Sequence, residues 1–585
     1  MGDAGALSLE RRSQPLPRIA RRFAVADLVF VAMCLAAAAV LLYLGRHATF
    51  FGDEWTFIDL RSDWSFRHLM LPHNEHWALV PLLAYNTLFS TVGLGSYLPY
   101  QLLLIATHLA AVTAVYVLLR TQNGVLPALG GAAILLLLGS GYENLLWAFQ
   151  IGFVGAAAAG AWAIVLTFVK PSRPRKIAAA ALLVVAVATQ GPGLFFVAGI
   201  AVALALDADR RRDLWIVAPA MVVYGLWYVA FGNAGIESHR DPFTLDAVRQ
   251  LPDYVVTGIS NAIGRVTGLG EQVGVVMFVM LAIGTALHVS GRAPLRSAAL
   301  AGFAALLAQF TITGLVRAQL GSAQATSPRY VYIAAILLLI VASGWIGRRF
   351  DGYRIRPSVV LAVIVVVSLS TNVVALLDGR RVFEDWWART RASVMVIERY
   401  GGTPAVSDQQ GVFPVPGQRR LAALESAFGL SVLAGAPPIP PAAIDEALYR
   451  LVGDSFAIEK VDAMPPAAGR AVVGRASGVA VAQAGSCIDA VATGADPQVT
   501  VLVPGGMALA VIADAPGDAQ AFLALRANAV EARSRHVAAE PGRVYVIQAP
   551  DIREADPWKL RFDPPDEART TRMCVVAGSP GRPAS

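Results

Sequence analysis

Carboxylates and imidazoles crowd one short stretch of this chain. Between Phe50 and Trp77 lie Asp53, Glu54, Asp59, Asp63, His68, His73, Glu75 and His76, interleaved with Trp55, Trp64 and Trp77. The stretch directly follows a long apolar run. Ionisable groups at a membrane boundary are costly and mark functional sites by default. The plainer alternative is a wet loop with interfacial tryptophans. A carboxylate in such a loop serves as general base when a hydroxyl comes within hydrogen-bond reach. His73, Glu75 and His76 offer ligands of the kind a divalent ion takes, with His239 as a further partner from elsewhere in the chain. Their alternative is a polar interfacial turn.

Two further groups belong with these. In GYENLLWAFQ, the residues Glu143, Asn144, Trp147 and Gln150 recur at helical spacing, and positions 143, 147 and 150 share one helical face. Such a stripe suits hydrogen bonding and stacking against a polar ring; its alternative is an interhelical hydrogen bond that only holds a bundle. Arg329 stands at the end of an apolar run, where a guanidinium is expensive unless used, and Arg317 and Arg240 follow it as candidates. The planar fork of arginine matches phosphate oxygens; the alternative is snorkelling to the interface.

The elements that must position these groups are apolar. The chain has 585 residues, 56% hydrophobic and 15% charged, against about 25% charged in soluble domains. Mean hydropathy is +0.55. The formal net charge is +7, but the basic residues come as short clusters between apolar runs, so no nucleic-acid surface is expected. Residues 1–22 hold Arg11, Arg12, Arg18, Arg21 and Arg22 and are expected in the cytoplasm. No cleavage pattern follows them. Residues 23–378 are expected to form the transmembrane domain, with the acidic loop 46–77 on the outer side. Ala78–Leu94 is short and is expected to be re-entrant or surface-lying. The run 177–206 is broken by Thr189-Gln190-Gly191-Pro192-Gly193 and is expected to be a hairpin, which keeps Arg210, Arg211 and Arg212 inside. About eleven transmembrane helices result, N-terminus inside and C-terminus outside.

Residues 379–470 are expected to hold a surface helix around Trp386 and Trp387, then a linker with APPIPP at 436–441. Residues 471–578 alternate apolar and polar positions in short runs and predict an extracytoplasmic β-rich, sandwich-like domain. Residues 579–585 are expected to be a disordered tail. Cys487 and Cys574 can pair outside the cytoplasm and tie the first and last strands. Cys34 lies in an apolar run and serves as a small hydrophobe.

Three motifs in this order resemble the GT-C-fold glycosyltransferases, among them the protein O-mannosyltransferases and bacterial aminoarabinose transferases. Asp53-Glu54 after the first span resembles their acidic outer-loop motif. Thr189-Gln190-Gly191-Pro192 resembles a Thr-Lys-Gly-Pro hairpin, with Gln190 in place of the charged lysine. Pro328-Arg329-Tyr330 resembles the Arg-Tyr that opens a late helix. The resemblance covers roughly residues 20–380 and implies transfer of a monosaccharide from a polyprenyl-phosphate donor. The acceptor would be a glycan or glycolipid on the outer face of a bacterial-type cytoplasmic (inner) membrane. It implies inversion, with Asp53 as base and Glu54 as its partner or a metal-side group. It places Glu75 beside the lipid phosphate with His76, and Gln190, Arg329 and Tyr330 in the substrate site. A divalent metal is a possible cofactor. The functional alternative is a transporter or flippase of lipid-linked sugar, which places charge nearer the midplane and often shows two related halves.

The topology is directly testable. Single cysteines at Asp53→Cys and Arg329→Cys should both react with a membrane-impermeant thiol reagent added from the non-cytoplasmic side. Labelling of the two from opposite faces would end this reading.

Overall fold

The computed structural model describes residues 18–232, 234, 244–291, 296–345, 357–403, 406–452, 457–494, 496–514, 516–524, 531–552, 557–564 and 570–578. Most of the basic tail, His239, Arg240 and the tail 579–585 therefore lie outside the described residues. The chain divides into two compact units. One comprises residues 1–46, 63–85 and 98–381; the other comprises 47–62, 86–97 and 382–585. The acidic stretch is thus split between them. Asp53, Glu54 and Asp59 go with the C-terminal unit, and Asp63 to Trp77 with the helical one.

The helical unit is a membrane bundle. Eight helices among the described residues are long and apolar enough to cross a bilayer: 25–44, 98–122, 148–168, 211–231, 271–289, 297–320, 328–345 and 359–400. The pair Val125–Leu136 and Gly139–Leu146, bent by 45°, passes the same test when taken together, as a broken span or a re-entrant loop. The expected hairpin is present as helices Arg173–Thr189 and Gly193–Leu206, of 17 and 14 residues. All eleven expected segments are therefore helical, but two are short and one is broken. Pro192 and its neighbouring glycines stop the helix at Thr189.

Polar contacts fix the order of the bundle. Gln101 Nε2 donates to the Leu41 carbonyl at 2.9 Å, while at the opposite end Arg120 meets Asp27 at 2.9 Å. The first two long helices are therefore antiparallel. Arg296 donates to the carbonyls of Gln122 and Ser343 at 2.9 and 3.2 Å, gathering three helix ends. Tight packing relies on small residues. A Cβ at Gly199 would stand 2.3 Å from the Ala301 carbonyl oxygen, so Gly193–Leu206 can lie this close to Ser297–Arg317 only because residue 199 has no side chain.

Two expectations are corrected here. No separate surface helix covers 379–400. Trp386 and Trp387 belong to a continuous 44-residue helix, Pro357–Tyr400, because nothing in the sequence stops it: the one glycine, Gly379, costs only about 1 kcal/mol. The β-rich region begins earlier than residue 471, at Ala457.

In the C-terminal unit, helices Gln418–Phe428 and Pro441–Val452 precede the strands. These are β1 (Ala457–Val461), β2 (Ala467–Gly469), β3 (Val472–Ser477), β4 (Val479–Ala484), β5 (Cys487–Ala492), β6 (Gln498–Val503), β7 (Met507–Ala513), β8 (Gly517–Ala524), β9 (Glu531–Ala539), β10 (Val544–Gln548), β11 (Trp558–Asp563) and β12 (Thr571–Ala577). One antiparallel sheet runs β1-β10-β7-β12-β5-β4, with β2 also on β12; the other runs β3-β6-β11-β8-β9. In β6 the alternate residues Val499, Val501 and Val503 are fully buried, as period-two alternation requires. In β7 and β12 consecutive residues are buried, so that part of the larger sheet is covered on both faces.

A disulfide joins Cys487 to Cys574, 87 residues apart. It links the last strand to its neighbour β5, not to the first strand as expected. Met573 pairs with Ile488 across that ladder, which sets the two cysteines opposite each other. Replacing both by serine should lower stability by roughly 2–5 kcal/mol. Thermal unfolding of the full chain, with and without reductant, measures this, and the serine variant should be indifferent to reductant.

Candidate functional site

In the helical unit, two arginines flank one short connection. Arg317 ends helix Ser297–Arg317, and Arg329 is the second residue of Pro328–Trp345, where Pro328 presets the first turn. Two short 3-10 turns, Ala318–Leu320 and Ser322–Thr326, join them. Arg329 Nε donates to Glu143 Oε2 at 2.9 Å, and Arg317 Nη2 lies 3.4 Å from Glu75 Oε2. The Glu143 side chain is 11% exposed, whereas Arg329, Arg317 and Glu75 keep about a third of theirs, 31%, 29% and 30%. The four charges form one cluster: the buried Tyr330, next to Arg329 in sequence, is within charge range of all of them. Gln309 Nε2 donates to the Tyr330 carbonyl at 2.8 Å and anchors that helix start.

The other members arrive on turns. His73 and His76 exchange backbone hydrogen bonds of 2.9 and 3.1 Å across a tight turn, with Asn74 left-handed at φ 52°. The turn projects Glu75 towards Arg317. His76 lies against Gly191 of the hairpin, where a Cβ would stand 2.7 Å from its Nδ1. Gln190, also buried, faces Gly152, whose Cβ would stand 3.1 Å from Gln190 Oε1. Both hairpin residues thus sit where only glycine neighbours allow close approach.

The segment 142–150 is not one helix. Tyr142–Leu146 stops, Trp147 is extended at φ −108°, ψ 111°, and Ala148–Gln150 forms a 3-10 turn. The expected stripe of Glu143, Trp147 and Gln150 on one helical face is therefore broken. Instead Glu143 turns to Arg329, and Asn144 Nδ2 reaches Gln150 Oε1 at 3.5 Å, both side chains fully buried. Trp147 stacks on Phe149 at 5.2 Å, and His73 meets the same Phe149 edge-on at 5.3 Å.

Sequence reasoning missed two contributors. Tyr254, fully buried on helix Leu245–Thr267, lies within charge range of Tyr330 and Arg317. The signal was available, since this helix is strongly amphipathic and Tyr254 falls on its apolar side. Trp227 stacks on Trp77 at 5.3 Å, 8° from parallel, and its indole donates to the Met70 carbonyl at 2.8 Å. No local pattern links two tryptophans 150 residues apart.

Asp53 and Glu54 belong to the other unit. Glu54 is completely buried; it accepts from the Phe51 N–H at 3.1 Å and the Tyr97 hydroxyl at 3.0 Å. Its carboxylate is committed to holding this loop and does not point to solvent. Asp53 is half-buried at the N-cap of helix Glu54–Leu60, one residue after Gly52 at φ 58°. His239 and Arg240 lie outside the described residues. Among the described residues no three His, Cys, Asp or Glu side chains gather as a metal cage. Glu75 is engaged by Arg317 and the expected third partner His239 is outside the described residues, so no step is derived through a metal ion.

Burial pushes the His76 imidazole down to about 4 from 6.5, although the Glu75 carboxylate pulls it up; Arg317 and His73 add to the downward shift. Part of its surface still reaches solvent. His76 is thus a neutral group, able to donate from one ring nitrogen and accept at the other.

Fold and site together define a multi-pass membrane protein that assembles a charged and aromatic cluster in its helical bundle and carries a β-rich C-terminal region. No family model matches the chain, and no curated protein matches it. Among solved structures it is similar to ArnT from Cupriavidus metallidurans bound to undecaprenyl phosphate. The identity is 17% over 65% of this chain and 81% of that one, with a TM-score of 0.42. It is also similar to the arabinosyltransferase EmbB from Mycobacterium smegmatis. There the identity is 11% over 98% of this chain and 66% of that one, with a TM-score of 0.31. Both have the GT-C fold.

The sign of the His76 effect is fixed. The unfolded chain takes up a proton near pH 6.5 and the folded one only near 4, so stability present above 6.5 is lost as pH falls towards 4. In His76→Asn this part of the pH dependence should disappear, as read from unfolding temperatures across that interval.

Proposed function

We propose that this protein is a glycosyltransferase of the GT-C type. It moves a monosaccharide from a polyprenyl-phosphate donor to a glycan or glycolipid acceptor at the outer face of the cytoplasmic membrane. The observation that carries the reading is the pairing of Arg317 with Glu75 and of Arg329 with Glu143. A cluster of two half-buried guanidiniums beside an amphipathic, aromatic-lined turn suits a phosphate attached to a lipid. The order of the Asp53-Glu54, Thr189-Gln190-Gly191-Pro192 and Pro328-Arg329-Tyr330 motifs supports the same class.

In the proposed step, the bond between the anomeric carbon and the phosphate oxygen breaks as an acceptor hydroxyl attacks from the opposite side. By the resemblance of Asp53-Glu54 to the acidic loop motif of GT-C enzymes, the acceptor proton passes to the Asp53 carboxylate. The electron pair leaves on the lipid phosphate, whose growing charge Arg329 and Arg317 stabilise through preorganised hydrogen bonds. Glu75 and Glu143 hold the arginines when no phosphate is bound, so that neither cation is left bare near lipid. Neutral His76 and the amide of Gln190 supply hydrogen bonds without adding charge. Asn144, Trp147 and Gln150 fix the wall behind Glu143. Glu54 acts through Asp53 by fixing its helix start.

The test is transfer from a radiolabelled polyprenyl-phosphate sugar by purified protein in lipid nanodiscs. Asp53→Asn should lower turnover by about 10²–10⁴, and Arg329→Gln by about 10²–10³. Donor binding, measured separately, should survive in Asp53→Asn. If Asp53→Asn left transfer intact, or if the protein moved lipid-linked sugar across the bilayer without transferring it, the enzyme reading would give way to transport.

A further inference from the structure

Among the described residues of the C-terminal unit, one buried cation lacks a carboxylate partner and leaves a donor unmatched. Arg317, Arg329, Arg120, Arg420 and Arg561 each lie against a carboxylate. Arg391 does not: among the described residues its one hydrogen bond runs from Nη2 to the His47 carbonyl, and its Nε is buried with no partner. Yet Arg391 is only 4% exposed. Charged side chains are almost never so buried unless paired. Four residues away on the same helix, Trp387 is 0% exposed, and its indole N–H is likewise buried with no partner. Two unmatched donors on one helical face demand an acceptor.

The space for that acceptor is present. A cavity of about 210 Å³ is lined by Glu384, Trp387, Ala388 and Arg391 on one side, and on the other by His47 and the run Pro437-Pro438-Ile439-Pro440. Prolines have no N–H to offer, so hydrogen-bond donation to a guest falls chiefly to Arg391 and Trp387. Glu384 precedes Arg391 by seven residues, about 10 Å along the helix axis. Its negative charge confines an anionic group to the Arg391 end.

We propose that this pocket binds a small oxyanion, a phosphate or carboxylate, which supplies the missing partner of Arg391 and accepts from the Trp387 indole. A planar guanidinium binds such groups through two parallel hydrogen bonds. The apolar proline wall accommodates a short organic body attached to the anion. The site is independent of the sugar-transfer reading, since none of its residues enters that mechanism.

The experiment uses the full chain in phosphatidylcholine nanodiscs, titrated with inorganic phosphate at constant ionic strength. Tryptophan fluorescence and unfolding temperature are the readouts. Both should respond saturably. Arg391→Gln should weaken phosphate binding by at least about tenfold, and without phosphate it should be no less stable than the parent, because a bare buried charge has gone. Trp387→Phe should weaken binding by a smaller factor. Absence of a saturable response in the parent would overturn the proposal, as would an undiminished response in Arg391→Gln. If Arg391→Gln did not fold, unchanged binding by Trp387→Phe would overturn it equally. Repeating the titration in phosphatidylglycerol nanodiscs separates two sources. Weaker apparent phosphate affinity there marks a lipid headgroup as the occupant, and equal affinity marks a free anion.

Discussion

A guanidinium at the edge of an apolar bundle must find negative charge, and two such groups on either side of one short connection must find it twice. The ion pairs Arg317–Glu75 and Arg329–Glu143 meet that demand, and much of the helical unit can be understood from them. The turn between His73 and His76 exists to aim Glu75. Glu143, in the short helix before the break at Trp147, meets Arg329, and the following residues start the next helix. The hairpin at Gln190-Gly191 comes close because residue 191 has no side chain to hold His76 away. These three irregularities of backbone lie beside the charges, where protein covers non-helical backbone.

Much of this was legible in the sequence, and the reasons are physical. Apolar runs of membrane length bounded by arginines define spans with little ambiguity, so every expected helical segment is present. Polar residues near membrane ends were rare enough to pick out individually: Glu75, His76, Glu143, Gln190, Arg317, Arg329 and Tyr330 all fall in the cluster or beside it. What pattern could not supply was pairing. Nothing local in GYENLLWAFQ says that its helix stops at Leu146, since neither proline nor glycine follows, and helical propensity is worth only tenths of a kcal/mol per residue against tertiary packing. The same limit hid Tyr254 and the Trp77–Trp227 stack. Glu54 shows the same limit. Two adjacent acids look equivalent in sequence, and only the fold shows one consumed by the Phe51 N–H and the Tyr97 hydroxyl.

The C-terminal unit illustrates a different limit. Alternation identified its strands, and its two cysteines were few enough to suggest a pair. Strand order, however, depends on which strands the chain skips, and alternation carries no such information. Hence Cys574 on the last strand meets Cys487 on β5, its neighbour in the sheet. Residues 47–62 are gathered into this unit rather than into the bundle, which no reading of apolar runs would separate. Asp59 accepts from Arg420, 361 residues later.

The connection from Ala318 to Ser327 contains no acid of its own. Its flanking cations draw their counter-charges from residues 242 and 186 positions earlier. A ribosome therefore delivers both anions well before either cation emerges, and the N-terminal part of a chain has the first opportunity to fold. The cluster can close only once residue 329 has emerged, onto carboxylates already made.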